Sequence, residues 1–193
     1  MSFTDKDEAL VGAALSGSVS AWEKLVRRYE GRIYNYGLRL TGNASDAMDL
    51  MQEVFLGVYR SLHRFRGDSQ FSSWIFRIAH NKAVDLNRRK QLMRGQSSSY
   101  ENEAYRNTES LVDVVGNEPG RFVAQEQQKQ QSQMLLEQLP LEQRLVVELK
   151  IFQSMTFDEI AQAQEISENT AKTRFYTALR KLKTVLEESH VMS

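Results

Sequence analysis

Cysteine is absent from all 193 residues, which excludes disulfides and thiolate metal sites. The three histidines, His63, His80 and His190, stand far apart, and no pair has metal-binding spacing. A metal enzyme is therefore not expected, and no cofactor is called for. Proline occurs twice and glycine ten times, while helix formers dominate. That balance predicts an all-α fold. No apolar run reaches membrane-spanning length and no signal segment is evident, so a soluble, cytoplasmic protein is expected. What the chain does have is a hydrophobic fraction of 41%, enough for packed cores.

The formal net charge is zero, but the charge is unevenly placed. Between Arg60 and Arg94 stand nine Lys/Arg and two acids. Between Lys172 and Lys183 stand five bases and no acid. From Gly95 to Gln128 the balance reverses, with six acids and two bases. Phosphate binding depends on such local patches rather than on the sum over the chain.

The segment Gly95 to Arg121 is rich in Ser, Asn, Glu and Gly, with one apolar cluster from Leu111 to Val115. It reads as a flexible linker carrying at most a short docking strip. The expected organisation is two small helical domains, 1–94 and 124–193, joined by the linker 95–123.

Thr4 with Asp7 reads as a capping pair opening a first helix. A second helix runs from Ser18 or Ser20 to about Thr41, with Trp22, Leu25, Val26, Tyr29, Ile33, Tyr36, Gly37 and Leu40 at helical spacing. A third begins near Asn43 or Ser45 and turns Leu50, Met51, Val54, Phe55, Val58 and Leu62 inward. After a loop from Phe65 to Gln70, a fourth continues to about Gln91. Beyond the linker, helices are expected from Ala124 to Gln138 and, with Pro140 in its first turn, to about Phe152. Thr156 and Glu159 form a capping box for Phe157 to Gln164. After the turn Glu165–Ile166–Ser167, Ser167 caps a last helix reaching about Glu187.

The last two helices have the proportions of a helix-turn-helix, whose second helix enters the major groove by its N-terminal part. Asn169, Thr170, Lys172, Thr173, Arg174 and Tyr176 are then the candidate contacts. Asn and Arg can read base edges, while Thr, Lys and the first backbone N–H groups suit phosphates. Glu168 opposes a phosphate at its own position. In the fourth helix Phe71, Trp74, Ile78, Asn81, Asp85 and Arg88 share a stripe bordered by Arg77. Aromatics beside cations suit unpaired bases, and Asn81 can bond an extruded base. Burial of Phe71 and Trp74 in a core is the plain alternative. The third helix shows Asp46, Asp49, Gln52 and Glu53 beside Phe55 and Leu56, a mixed face suited to a basic partner helix.

Three stretches carry a resemblance: DAMDLMQEVFL (Asp46 to Leu56), FRGDSQFSSWIFRIAHNKAVDLNRR (Phe65 to Arg89) and LPLEQRLVVELKIFQSMTFDEIAQAQEISENTAKTRFYTALRKL (Leu139 to Leu182). Together they resemble the extracytoplasmic-function group of bacterial sigma factors, within the sigma-70 family, over nearly everything except the linker. The resemblance implies that Asp46, Asp49, Gln52, Glu53 and Phe55 bind the beta-prime clamp helices of core RNA polymerase. It implies recognition and melting of the −10 element by Arg66, Ser69, Phe71, Trp74, Arg77, Asn81, Lys82, Arg88 and Arg89. It assigns the −35 element to Asn169, Thr170, Lys172, Thr173, Arg174, Tyr176 and Arg180, with the beta flap as a further contact. An anti-sigma factor, often membrane-anchored in the family, is the usual partner. Met48 departs from the pattern, standing where an acid is usual.

Two other classes compete. A stand-alone helix-turn-helix regulator would bind operators without polymerase, but it leaves residues 43–90 unexplained. An enzyme acting on nucleic acid would need clustered carboxylates, and Asp46 and Asp49 have no matching cluster nearby in sequence.

Overall fold

The computed structural model describes residues 3–96 and 134–191. The expected linker beyond Gln96, its apolar strip and the helix foreseen from Ala124 to residue 133 lie outside the described residues. All regular structure among the described residues is helical. In order come α1 (Phe3–Leu15), α2 (Val19–Thr41), α3 (Ala44–Ser61), a 3-10 turn (Leu62–Arg64) and α4 (Phe71–Gln96). A helical stretch at 134–137 precedes α5 (Leu141–Val147), which runs on into a π turn (Glu148–Phe152). The helices α6 (Phe157–Gln164) and α7 (Glu168–Val191) complete the chain.

Each boundary has a local cause. Ser18 Oγ accepts from Ala21 N–H at 3.3 Å, capping α2, and Gly42 ends it at φ 69°, a conformation that favours glycine. Asn43 Oδ1 accepts from Asp46 N–H at 3.0 Å and starts α3. The buried row of α2 follows the predicted period: Leu25, Tyr29, Ile33, Tyr36, Gly37 and Leu40. At Gly37 the two helices meet closely, since a Cβ there would lie 3.1 Å from Ala47 Cα. Tyr29 meets Phe71 edge-on at 5.4 Å, and Tyr36 meets Phe76 at 5.7 Å, joining α2 to α4 through the core.

Three expectations need correction. The helix α1 begins at Phe3, ahead of the Thr4 expected to open it, and Asp7 lies within the helix. Its carboxylate is buried, accepting from the Tyr29 hydroxyl at 2.6 Å and pairing with Arg28, so it ties α1 to α2. Pro140 occupies the N-cap position of α5 rather than its first turn. The helix α4 continues to Gln96, five residues beyond the expected end. The remainder of the C-terminal half agrees closely. Thr156 and Glu159 form both arms of the capping box, and α6 has the bounds read from sequence.

The two halves pack against each other. Leu145, Val146, Leu149, Met155, Ile160 and Ala163 belong to the same buried cluster as Tyr36, Ile75, Phe76 and Ala79. Arg39 crosses from α2 to place two donors on the Glu148 carboxylate, at 2.6 and 2.7 Å. Glu148 is 0% exposed, and burial pushes its carboxyl above the usual range although Arg39 pulls it down.

Candidate nucleic-acid and partner interfaces

On α3 the predicted polar face divides. Asp46 pairs with Lys90 of α4, and Glu53 pairs with Lys82 at 2.9 Å. That hydrogen bond and the lysine's charge hold the Glu53 carboxyl below its ordinary value. Asp49 and Gln52 remain exposed, with Met48 at 43% exposure beside them. Phe55 is partly buried against Trp22, centroids 6.5 Å apart. The structure adds residues that sequence reasoning did not place on this face: Trp22, Val26, Met51 and Tyr59 join Phe55 and Leu56 in lining an open, mostly apolar groove beside the acids. Trp22 and Met51 sit on inward-reading stripes, which is why they gave no surface signal. Tyr59 lay off the α3 stripe, and that was the available hint.

The α4 surface is built around an aromatic stack. Phe71 is only 2% exposed, wedged between Tyr29 and Phe65, so it supports the surface rather than facing a base. Trp74 is half-buried over Phe65 (5.4 Å) and Phe71 (5.7 Å). The stack fixes the indole and leaves part of it accessible. Arg66 and Asn81 are exposed, as are Arg88, 3.7 Å from Asp85, and Arg89, while Ser69 is partly buried in the loop before α4. Arg77 is taken up by Glu165 of the other half, at 2.5 Å. His80, also on α4, has its imidazole pushed down to about 4, chiefly by burial and secondly by the Arg174 charge. It is neutral near pH 7.

The helix-turn-helix has the expected tight turn. Glu165 adopts the left-handed conformation (φ 55°), and Ile166 N–H bonds Ala161 C=O at 3.0 Å. Ser167 Oγ then accepts from Thr170 N–H at 3.0 Å, starting α7. Ala171 and Ala178 are fully buried, letting α7 lie close on its neighbours. Asn169, Thr173, Tyr176 and Arg180 are exposed on the outer face, with Tyr176 at 57% and braced edge-on by Phe175. Lys172 pairs with Glu168 at 2.8 Å, and Arg174 with Glu142 of α5 at 2.5 Å. Thr170 is partly buried at the helix start.

These features define an all-helical protein with a helix-turn-helix at one end and a basic, aromatic helix at the other. Two family models match it: "Sigma-70 region 2" over residues 25–92 and "Sigma-70, region 4" over residues 129–182. The chain is 26% identical to the RNA polymerase sigma-H factor of Pseudomonas aeruginosa over 185 residues, covering 95% of each. It is 27% identical to the ECF RNA polymerase sigma-E factor of Escherichia coli, covering 89% of this chain and 90% of that one. Among solved structures, the sigma factor RpoE of Bartonella quintana, in complex with the anti-sigma factor NepR, shares the fold. Its TM-score is 0.67 at 16% identity, over 88% of this chain and 98% of that one. The chain belongs to the extracytoplasmic-function group of the sigma-70 family. It is an alternative sigma factor, directing transcription initiation.

Proposed function

We propose a division of labour among three surfaces. The α3 face, through Asp49, Gln52 and the groove of Trp22, Phe55, Leu56 and Tyr59, docks on the clamp helices of core RNA polymerase. Asp46 and Glu53 join after exchanging their lysine partners. The α4 surface, with Trp74 as stacking platform, Arg66, Ser69, Arg77, Lys82, Arg88 and Arg89 as phosphate or loop contacts and Asn81 at an extruded base, recognises and opens the −10 element. The outer face of α7 reads the −35 element through Asn169, Thr170, Lys172, Thr173, Arg174, Tyr176 and Arg180. The protein performs no catalysis of its own and works in the cytoplasm. Its domains are taken as 1–94 and 124–193 with 95–123 between them.

The observation that carries this reading is the coexistence of three unlike surfaces on one chain: an acidic-apolar groove, a stacked tryptophan among cations, and a helix-turn-helix. An operator-binding regulator needs only the last. An anti-sigma factor belongs to the proposal as regulator, by analogy with the complex of RpoE and NepR.

The test is in vitro transcription from a pooled promoter library by core polymerase with this chain. Transcripts sharing −35 and −10 sequences are expected, and Asn81→Ala and Arg180→Ala should each weaken them. No transcripts, with tight duplex binding by the chain alone, would replace this reading with the operator-binding regulator.

A further inference from the structure

Cysteine is absent, so no thiol stands ahead of methionine as a target for two-electron oxidants. A methionine sulfur becomes the sulfoxide where an oxidant can reach it. Of the seven methionines, Met48, Met51, Met93, Met134 and Met155 stand among the described residues. Their surroundings separate them. Met155 is 4% exposed and lies in the core. Met93 and Met134 are 68% and 59% exposed, and neither belongs to the three proposed surfaces. Met48 and Met51 are reachable and also lie on the docking helix α3, three residues apart and so on one side of it. Met48 is 43% exposed beside Asp49. Met51 is partly buried and lines the apolar groove with Trp22, Phe55 and Tyr59. In such a groove a thioether is an apolar, deformable contact. A sulfoxide in its place carries a strong S–O dipole, which a covering partner helix must strip of water.

We infer that Met48 and Met51 form an oxidation site whose modification turns off docking to core polymerase. The inference rests on the assignment of α3 to the clamp helices. The oxidant class is a hydroperoxide. Its O–O bond breaks, one oxygen passes to the methionine sulfur, the sulfur gives up two electrons, and hydrogen peroxide is reduced to water. A methionine sulfoxide reductase reverses the step: a dithiol supplies two electrons, and thioether, disulfide and water result. None of the assigned promoter contacts is a methionine, so the modification acts on the polymerase-binding step and leaves DNA readout alone.

The full chain is treated with hydrogen peroxide, freed of it with catalase, and mapped by peptide mass spectrometry. It is then titrated with core polymerase that has not met the oxidant. Chain carrying sulfoxide at Met48 and Met51 should bind about tenfold more weakly, the cost of covering an unpaired dipole, with its circular dichroism unchanged. Sulfoxide reductases of both epimer specificities should restore it. Met48→Leu/Met51→Leu, compared with its own untreated affinity, should hold to within about twofold after the same treatment, having no thioether on α3 to oxidise. Met93→Leu/Met134→Leu should lose as much as the parent. Unchanged affinity with both α3 sulfurs oxidised overturns the inference, as does a loss that persists in Met48→Leu/Met51→Leu. So does a loss that comes with melting of helix, or a pair that stays reduced while Met93 and Met134 oxidise. Should the untreated parent fail to bind core polymerase, the docking reading itself falls and takes this inference with it.

Discussion

A carboxylate with no exposure to water is held at a cost that only its partners offset, and Glu148 shows how closely. Removing it strands Arg39, whose side chain keeps 21% of its exposure and so can rehydrate in part. Glu148→Ala is expected to destabilise the chain by about 2–3 kcal/mol in urea unfolding, near the lower end for a broken buried pair. The double variant Arg39→Met/Glu148→Met should lose clearly less than Glu148→Ala alone, because no unpaired charge remains. A second residue-scale effect concerns His80. In the folded chain it takes a proton only near pH 4, whereas an unfolded chain takes it near 6.5. The unfolded state therefore gains protons first on acidification. Stability is full above pH 6.5 and falls between 6.5 and about 4, by about 3 kcal/mol from this group. His80→Gln should flatten that limb in a series of thermal melts against pH; an unchanged slope would show that the imidazole is not buried. Neither residue announced itself in sequence. The ion-pair partner of Glu148 is not near it in sequence: Arg39, 109 positions away, makes it a core residue. Phe71 went the other way: its spacing put it on the α4 stripe, and packing against Tyr29 and Phe65 took it inside.

At the scale of elements, local chemistry was legible and lateral packing was not. The bounds of α2 and α6 follow from side chains within four residues of each end, so the sequence contained their causes. The capping box makes this measurable. Thr156→Ala, removing the acceptor for Glu159 N–H at 3.2 Å, should cost about 1 kcal/mol in thermal unfolding. A loss below a few tenths would mean that α6 is held by packing alone. The docking helix α3 gives a prediction of another kind. Met48 is exposed beside Asp49 and Gln52, where an acid would extend the negative face. Met48→Glu should tighten binding to core polymerase at low salt, and the gain should shrink as ionic strength rises. Equal affinities across a salt titration would remove Met48 from the account. Charge pattern suggested the acids of this face. The groove of Trp22 and Tyr59 beside them needed the packing of α2 on α3 to appear.

For the molecule as a whole, the two basic patches and the all-helical architecture were readable from composition and spacing. The closure of one half on the other was not, since its contacts obey no sequence period. They join positions on α2 and α4 to positions 86 to 121 residues later, through single pairs such as Ser73 with Glu159 and Arg32 with Gln153. The sequence reading of two tethered units predicts gain through effective concentration once one of them is bound. The docked halves add the reverse. The same tether that helps the second contact on a promoter also keeps the halves near each other when no promoter is present.

The π turn at the end of α5 gives this closure an unusual dependence on chain length. Such a turn is an α-helix holding one residue more than regular winding allows. Here it spans Glu148 to Phe152, so the surplus residue sits between the buried carboxylate and the ring beneath Arg39. Excising Lys150 or Ile151 would let regular winding resume and swing Phe152 and Gln153 by about 100° about the helix axis. Composition, charge pattern and the helix-turn-helix would hardly change, yet Arg32 and Arg39 would face different neighbours. The packing of the halves is thus keyed to a count of residues as much as to their chemistry. A single-codon deletion here should remove the Arg32–Gln153 contact and lower the urea midpoint while leaving α6 and α7 folded.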